Sequence, residues 1–234
     1  MSTHTPSDTG RPDSTDGERV VLFDMDGVIL EGHGTDAAVH DRALDDALDE
    51  CGLSVDAETR GLLEGYEYDT DFALGCKRLG VDPVGLFARR EEYGARRAID
   101  RLAAGHRGLY PDVEVLQELA DRDTLGLISN NYQSVVEFVV DHHGIDVFSH
   151  VRGRDTGVRG FFRRKPDPHY LLEAVGELGA GEGLYVGDRA TDVVAATRAG
   201  LDGVFLRRSH NRETPRPDAA VAEIGSLTEL VERF

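Results

Sequence analysis

Short apolar runs alternate in this chain with segments whose apolar residues recur at helical spacing. The first run, Arg19-Val-Val-Leu-Phe23, stops at Asp24-Met-Asp-Gly27, and its length and β-branched content predict a buried strand. After Pro111 the alternation becomes regular. It predicts helices at residues 112–120, 133–142, 168–178, 191–199 and 227–234. It predicts strands at residues 124–128, 147–152, 183–187 and 203–206. Such alternation is typical of an α/β fold with a parallel sheet covered on both faces.

Between about Asp36 and Ala104 the pattern is different. Apolar residues keep helical spacing there and β-branched residues are few, which predicts a helical subdomain, the cap, inserted after the first strand at residues 34–105. Glycines flank the insertion on both sides: Gly32 and Gly34 before it, Gly105 and Gly108 after it. Two flexible connections favour a hinged lid over two ordinary loops.

The remaining residues define the rest of the domain organisation. Residues 1–18 are mostly Ser, Thr, Asp, Gly and Pro, and are predicted to be a disordered tail. Residues 19–33 and 106–234 would form the core. No apolar stretch follows the start, so neither a signal peptide nor a membrane span is expected, and a cytoplasmic location is predicted. The two cysteines, Cys51 and Cys76, form neither a disulfide framework nor a zinc-binding pattern.

The chain is strongly acidic, with a formal net charge of −18. Such a surface repels nucleic acid and anionic membranes, so neither is expected as a partner. The acids are scattered rather than clustered, which favours a solvated, salt-adapted surface over a docking face for a basic partner. Lys77 and Lys165 are the only lysines, and every other basic side chain of the Lys/Arg class is Arg. A retained lysine is therefore a candidate functional residue.

Polar residues follow several predicted strands at the point where each strand ends. Asp24 and Asp26 follow the first strand, Ser129 and Asn130 follow the second, and Asp188 follows the strand that ends at Gly187. Because the carboxyl ends of parallel strands share one edge of a sheet, these side chains should converge where open α/β folds bind ligands. Clustered carboxylates need a cation, and Mg²⁺ prefers carboxylate, water and phosphate oxygens.

Four segments occur in a fixed order: FDMDGV, LISN, RKPDP and YVGDRATD. They resemble the four motifs of the haloacid dehalogenase superfamily, especially its phosphoglycolate phosphatase and β-phosphoglucomutase-like branch. The resemblance covers about residues 19–234. It implies a Rossmann-like core with a helical cap inserted just after the first motif.

The resemblance also implies a role for each matching residue. Asp24 would be the nucleophile, and Asp26 would act first as general acid and then as general base. Magnesium ligands would come from four acids: Asp24, Asp26 through its backbone carbonyl, Asp188 and Asp192. The phosphoryl group would be bound by Ser129, by the backbone N–H of Asn130 and by Lys165, which would also neutralise Asp24.

The expected function is therefore Mg²⁺-dependent hydrolysis of a small phosphorylated metabolite, a phosphate monoester, through an aspartyl-phosphate. A phosphomutase shares all four motifs and stays open. A phosphonate hydrolase would need a cap lysine such as Lys77. A haloacid dehalogenase would need neither Mg²⁺ nor Asp26. A non-enzymatic receiver domain places its acceptor Asp on a middle strand and has no cap. The sequence identifies neither the particular ester nor the oligomeric state.

Overall fold

The computed structural model describes residues 19–234, so the predicted tail at residues 1–18 lies outside the described residues. Within them, six parallel strands form one sheet in the order β3-β2-β1-β4-β5-β6. The strands are β1 Val20–Phe23, β2 Thr124–Tyr132, β3 Phe148–Arg154, β4 Gly183–Gly187, β5 Asp202–Leu206 and β6 Ala222–Ile224. The predicted α/β fold with a Rossmann-like parallel sheet is confirmed.

Strand β1 lies at the centre of the sheet, between β2 and β4. The chain adds β2 and β3 on one side of β1 and then crosses over to build β4, β5 and β6 on the other. Such a reversal opens a crevice at the carboxyl ends of the strands on either side of it. Phe23, the last residue of β1, pairs with Val186 near the end of β4, whereas β2 continues beyond Leu127, the other partner of Phe23, to Tyr132.

Four helices follow β1 before the chain returns to the sheet. They are α1 Ala37–Glu50, α2 Ala57–Leu63, α3 Thr70–Leu79 and α4 Pro83–Ala103. Each begins at an aspartate whose carboxylate accepts a backbone N–H of the first turn: Asp36, Asp56, Asp69 and Asp82. The helices bury their own apolar cluster, which includes Leu44, Phe72 and Phe87. The division at residues 34 and 105, and the movement of the cap as a lid, remain predictions.

The remaining helices are α5 Leu116–Ala120, α6 Gln133–His143, α7 Gly157–Phe162, α8 His169–Glu177, α9 Ala190–Arg198 and α10 Thr228–Arg233. Of these, α7 packs against α4, and the others lie around the sheet. In β1, Val21 and Phe23 belong to one apolar cluster and Val20 and Leu22 to another. Because side chains alternate between the faces of a strand, both faces of β1 are buried, which explains its unbroken apolar sequence. Among the described residues, no helix has the length and apolarity needed to cross a membrane.

The structure departs from the sequence prediction at a few elements. Residues 111–115 form a 3₁₀ turn before α5, where one continuous helix was predicted, and β2 continues beyond residue 128 to Tyr132. Helix α7 and strand β6 were not predicted. Helix α7 has the sequence GVRGFF, and its two glycines make a helix hard to predict. The three residues of β6 are too few to show an alternating pattern. Phe161 of α7 completes the apolar cluster of the cap, so this short helix joins core and cap.

Candidate active site

Asp24 and Asp26 lie at the carboxyl end of β1, and both are buried. The backbone N–H of Asp24 donates to the Val186 carbonyl at 2.9 Å, which keeps the chain in register one residue beyond the strand. Gly27 then turns with a φ of +83°, and a Cβ there would lie 2.2 Å from Asp188 Oδ2. Only glycine allows the chain to turn this close to the Asp188 carboxylate.

Lys165 is the central cation of the site. Its Nζ lies 2.9 Å from Asp24 Oδ1, 2.8 Å from Asp192 Oδ1 and 2.5 Å from the Tyr185 hydroxyl. The Tyr185 hydroxyl in turn donates to the Ile128 carbonyl at 2.7 Å. The ammonium group is therefore hydrogen-bonded to one hydroxyl and forms ion pairs with two carboxylates. The retained lysine therefore lies between two carboxylates, and its predicted role towards the phosphoryl group stays a prediction.

The backbone of Lys165 is held by the side chain of Asn130. Asn130 Oδ1 accepts the Lys165 N–H at 2.8 Å, and Asn130 Nδ2 donates to the Lys165 carbonyl at 3.2 Å. This amide pair locks the RKPDP segment to the end of β2. The predicted binding of phosphate by the Asn130 backbone N–H stays a prediction. The contact of the Asn130 side chain with the Lys165 backbone was not predicted. Ser129 is buried beside it, with its hydroxyl accepting the Asn131 N–H at 3.2 Å.

Three buried carboxylates converge next to Lys165. One oxygen from each of Asp24, Asp188 and Asp192 lies within 4.8 Å of the others, which is a spacing suited to a shared cation. Asp188 Oδ1 is buried and has no hydrogen-bond partner among the described residues. A carboxylate oxygen without a hydrogen-bond partner is suited to be a ligand of a hard divalent cation. The side chain of Asp26 lies outside this cluster, and the contribution predicted for it was a backbone carbonyl.

The electrostatics of the cluster show an excess of negative charge. Burial raises the pKa of Asp24 to about 6, although Lys165 opposes the rise. Burial, together with the charges of Asp24 and Asp192, raises the pKa of Asp188 to about 8. For Lys165, burial disfavours the charge, but Asp192 and Asp24 outweigh it and raise the pKa of the ammonium. Lys165 and Arg189, whose Nε lies 3.9 Å from Asp188 Oδ1, leave the three carboxylates with an excess of negative charge, so a further cation fits this site.

The carboxylate of Asp26 has two partners that sequence reasoning missed. Arg107 Nη1 lies 2.6 Å from Asp26 Oδ1, and Asn131 Nδ2 donates to Asp26 Oδ2 at 3.0 Å. Arg107 also donates to the carbonyls of Glu31 and Gly32, at 2.5 Å and 3.2 Å. It therefore ties the two connections of the cap to each other and to Asp26. Its position between Gly105 and Gly108 was the only signal in the sequence.

The loop after β5 supports Asp188, and this too was missed. His210 Nε2 lies 2.5 Å from Asp188 Oδ2. Asn211 Nδ2 donates to the backbone carbonyls of Asp188 and Leu206, at 2.8 Å and 2.9 Å. Asp192 serves the start of α9 as well, since its Oδ2 accepts the Arg189 N–H at 2.9 Å. The acids of the YVGDRATD segment are thus fixed by neighbours before any ligand binds.

A cavity of about 290 Å³ opens over this cluster. Its lining comprises Asp24, Asp26, His33, Gly34, Thr35, His40, Tyr66, Asn130, Asn131, Tyr132, Arg164, Lys165, Arg189 and Asp192. Of the predicted site residues, Ser129 and Asp188 lie outside this lining, buried just behind it. Because His40 and Tyr66 belong to the cap segment, the cavity lies between cap and core.

The fold and the site define the class of the protein. It is a Rossmann-like α/β enzyme with a buried acidic centre at the strand ends, in which a lysine pairs with two of the carboxylates. The family follows from comparison with known proteins. The family model of the haloacid dehalogenase-like hydrolases matches residues 18–200, and the chain belongs to this family. The predicted family membership is confirmed.

Two curated relatives match over most of their length. The phosphoglycolate phosphatase of Vibrio cholerae serotype O1 is 33% identical over 230 residues, covering 91% of this chain and 96% of the relative. The phosphoglycolate phosphatase of Rhodospirillum rubrum is 32% identical over 219 residues, covering 89% and 85%. These similarities confirm the prediction that the chain is a phosphatase.

Solved structures show the same fold at lower identity. CbbY from Rhodobacter sphaeroides, in complex with phosphate, superposes with a TM-score of 0.63 at 21% identity, covering 91% of this chain and 96% of that one. A putative β-phosphoglucomutase from Thermotoga maritima gives a TM-score of 0.56 at 19% identity, covering 92% and 100%. At this identity the likeness concerns the fold alone.

Proposed function

We propose that this phosphatase is Mg²⁺-dependent and hydrolyses a small phosphate monoester through an aspartyl-phosphate on Asp24. The observation that carries the proposal is the contact of Lys165 with both Asp24 and Asp192, in a cluster whose third acid, Asp188, has an unpartnered oxygen. A carboxylate can attack an anionic phosphate only where positive charge offsets their repulsion.

The cation site would be formed by Asp24, Asp188 and Asp192, with the backbone carbonyl of Asp26 as a further oxygen. These residues fit Mg²⁺, because the ligands are all oxygens and the cluster carries excess negative charge. When bound, Mg²⁺ would supply Lewis-acid stabilisation of the charge that develops on the phosphoryl oxygens. Lys165 adds a second positive charge, in a position fixed by the Tyr185 hydroxyl.

In the first step a carboxylate oxygen of Asp24 attacks phosphorus and the bond from phosphorus to the ester oxygen breaks. The leaving alkoxide takes a proton from Asp26, whose side chain lines the same cavity. In the second step Asp26 removes a proton from water, which attacks the aspartyl-phosphate. Inorganic phosphate leaves and Asp24 is regenerated. General acid–base assistance of this kind is worth roughly 10²- to 10⁴-fold in rate.

Arg107 holds the Asp26 side chain in place. Its guanidinium lies 2.6 Å from Asp26 Oδ1. Asp26 has to leave this contact to act on the leaving group. Because Arg107 bridges the two cap connections, we infer that a change in cap position loosens the pair.

The substrate we propose to test first is 2-phosphoglycolate, the ester named in the curated relatives. The phosphonate-hydrolase alternative gains no support from the cap lysine. Lys77 is exposed on α3 and does not line the cavity. The dehalogenase alternative gives no role to Asp26, which lines the cavity, or to Asp188, which belongs to the acidic cluster. A small phosphorylated metabolite therefore remains the proposed ligand.

The direct experiment measures phosphate release from 2-phosphoglycolate and a panel of other monoesters, with Mg²⁺ or with EDTA. We expect turnover only with Mg²⁺, and a loss of several orders of magnitude in Asp24→Asn, because an amide cannot attack phosphorus. Asp202→Asn is the matched control, since this acid is exposed at the start of β5. Acid quenching followed by peptide mass spectrometry should locate the phosphoryl group on Asp24. Full turnover in EDTA, or in Asp24→Asn, would overturn the proposal.

A further inference from the structure

The three acids of the cluster are held in two different ways. Lys165 Nζ lies 2.9 Å from Asp24 Oδ1 and 2.8 Å from Asp192 Oδ1, so one ammonium group holds two of the carboxylates. The carboxylate of Asp188 is held by another residue. His210 Nε2 lies 2.5 Å from Asp188 Oδ2, and within the described residues it is the only hydrogen-bond partner of this side chain. The orientation of the third acid therefore depends on His210.

The contact with His210 leaves the second oxygen of Asp188 available. Asp188 Oδ1 is buried and has no hydrogen-bond partner among the described residues. Arg189 Nε approaches it only to 3.9 Å, which is too long for a hydrogen bond. Because the two oxygens of a carboxylate lie on one rigid planar group, a partner that fixes Oδ2 also fixes the direction of Oδ1.

The surroundings of His210 hold its imidazole in one place. A Cβ on Gly27 would lie 2.2 Å from Asp188 Oδ2 and 3.0 Å from His210 Cε1, so the turn after β1 packs directly against this hydrogen bond. Asn211, the next residue, donates to the backbone carbonyl of Asp188 at 2.8 Å. On the side of the cap, the ring of His33 stacks on that of His210, with centroids 5.6 Å apart and planes inclined by 23°. The imidazole is thus fixed by backbone contacts and by a neighbouring ring.

We propose that His210 is a positioning residue for the divalent cation, because it holds Asp188 Oδ2 and thereby presents Oδ1 as a ligand. The inference rests on the proposed Mg²⁺ dependence and deepens it, since it identifies what sets the affinity for the cation. A carboxylate that binds a cation is ionised and can only accept hydrogen bonds, so the imidazole donates from Nε2. Without this donor the Asp188 carboxylate can rotate, and the cation has to fix it on binding. Loss of such a partner behind a metal ligand lowers metal affinity by roughly 10- to 100-fold.

The test titrates the full chain with MgCl₂ in a calorimeter, without substrate, and compares two variants of His210 with the wild type. His210→Phe keeps an aromatic ring against Gly27 and His33 but removes the N–H donor. His210→Gln removes the ring but supplies a side-chain N–H donor. The Kd for Mg²⁺ should rise roughly 10- to 100-fold in His210→Phe and by much less in His210→Gln. The Mg²⁺ concentration that gives half-maximal phosphate release should shift in the same order.

This pair of variants separates positioning from packing. A residue that only fills space against Gly27 and His33 would give the reverse order, with His210→Phe close to the wild type and His210→Gln impaired. The Kd does not depend on the fraction of folded protein, which the calorimeter reports separately as the stoichiometry. The matched control is His169→Phe on α8, because His169 Nε2 lies 3.9 Å from Glu173 and this residue does not line the cavity. Its Kd for Mg²⁺ should equal that of the wild type.

Three results would overturn the inference while leaving the phosphatase intact. The first is a Kd in His210→Phe that equals the wild-type value or falls below it, which would mean that His210 competes with the cation. The second is weaker Mg²⁺ binding in His210→Gln than in His210→Phe. The third is an equal loss in His169→Phe. Failure of the proposed function itself looks different, because the wild type would then bind no Mg²⁺ and would release phosphate equally well in EDTA.

Discussion

Replacing Asp188 by Asn should stabilise the metal-free protein and at the same time abolish Mg²⁺ binding. Asp188 is 1% exposed, lies beside Asp24 and Asp192, and has a buried oxygen without a hydrogen-bond partner among the described residues. Burial first, and then these two carboxylates, raise its pKa to about 8. Asparagine has nearly the same shape and no charge, so it removes the repulsion but also an anionic ligand of the cation.

The magnitude follows from the difference between the folded and unfolded states. In the unfolded chain the carboxyl ionises near 3.8 and in the folded protein near 8, so folding takes up a proton between these values. The free energy of unfolding therefore falls as pH rises through this window, by about 1.4 kcal/mol per pH unit. At pH 7 the ionised carboxylate of Asp188 therefore destabilises the folded protein by about 4 kcal/mol. Weakening of the His210 contact offsets about 1 kcal/mol, and relaxation of the site reduces the gain further. A net stabilisation of about 1–3 kcal/mol is expected for Asp188→Asn.

The assay is urea unfolding of wild type and Asp188→Asn in EDTA at pH 5 and pH 8, with Asp202→Asn as the control acid. The advantage of Asp188→Asn over the wild type should grow from pH 5 to pH 8, whereas the control should follow the wild type. Adding Mg²⁺ at about 100 times its Kd should raise the wild-type stability by about 2.7 kcal/mol and leave Asp188→Asn unchanged. Mg²⁺ binding by the wild type should release protons below pH 8.

The reasoning is refuted if Asp188→Asn is less stable than the wild type in EDTA at pH 8. That result would mean that the contact of Asp188 with His210 outweighs the repulsion within the acid cluster. A pH-independent difference between the two proteins would also contradict it, because the penalty comes from ionisation alone.

Further predictions concern Lys165 and the residues that support the site. Lys165→Arg should lower kcat by roughly 10²-fold, because a planar guanidinium cannot occupy the compact position of the ammonium. Lys77→Arg is the control and should have a near-normal kcat. Measuring kcat of both variants side by side tests the prediction. Tyr185→Phe should lower kcat by roughly 10-fold with little change in KM, because it removes one oxygen partner of the Lys165 ammonium; steady-state kinetics that match the wild type would contradict this. Asn211→Ala leaves the carbonyls of Asp188 and Leu206 without their donor and should cost about 1–3 kcal/mol in urea unfolding.

Much of the fold and the reacting groups could be predicted because they depend on local sequence. Parallel strands buried on both faces produce unbroken apolar runs, and their carboxyl ends bring distant acids to one edge. That logic predicts that Asp24, Asp26, Ser129, Asn130 and Asp188 converge at one edge of the sheet, whereas the role of Lys165 follows from the resemblance of RKPDP to a family motif. Lys165 was also recognisable because the chain otherwise uses arginine, so a lysine in RKPDP was unusual for this composition.

The supporting residues could not be predicted, because their roles depend on tertiary contacts between remote segments. Arg107 reaches Asp26 across a separation of 81 positions, and His210 reaches Asp188 across 22. Neither residue stands out, since arginine is the common cation of this chain and an isolated histidine has many uses. Asn131 follows two predicted site residues, yet only the extension of β2 beyond residue 128 directs it towards Asp26.

The distribution of buried charges around the cavity cannot be read from the net charge of the chain. A net charge of −18 describes the whole chain, but the buried groups around the cavity include charges of both signs. Near Asp24, three carboxylates surround Lys165, and a divalent cation would offset the remaining negative charge. Near Tyr66, Arg154 pairs with Glu91, and Arg90 donates to the carbonyls of Leu63 and Gly65. The arrangement of buried charges, rather than the acidic surface, therefore determines which ligand this cavity is expected to accept.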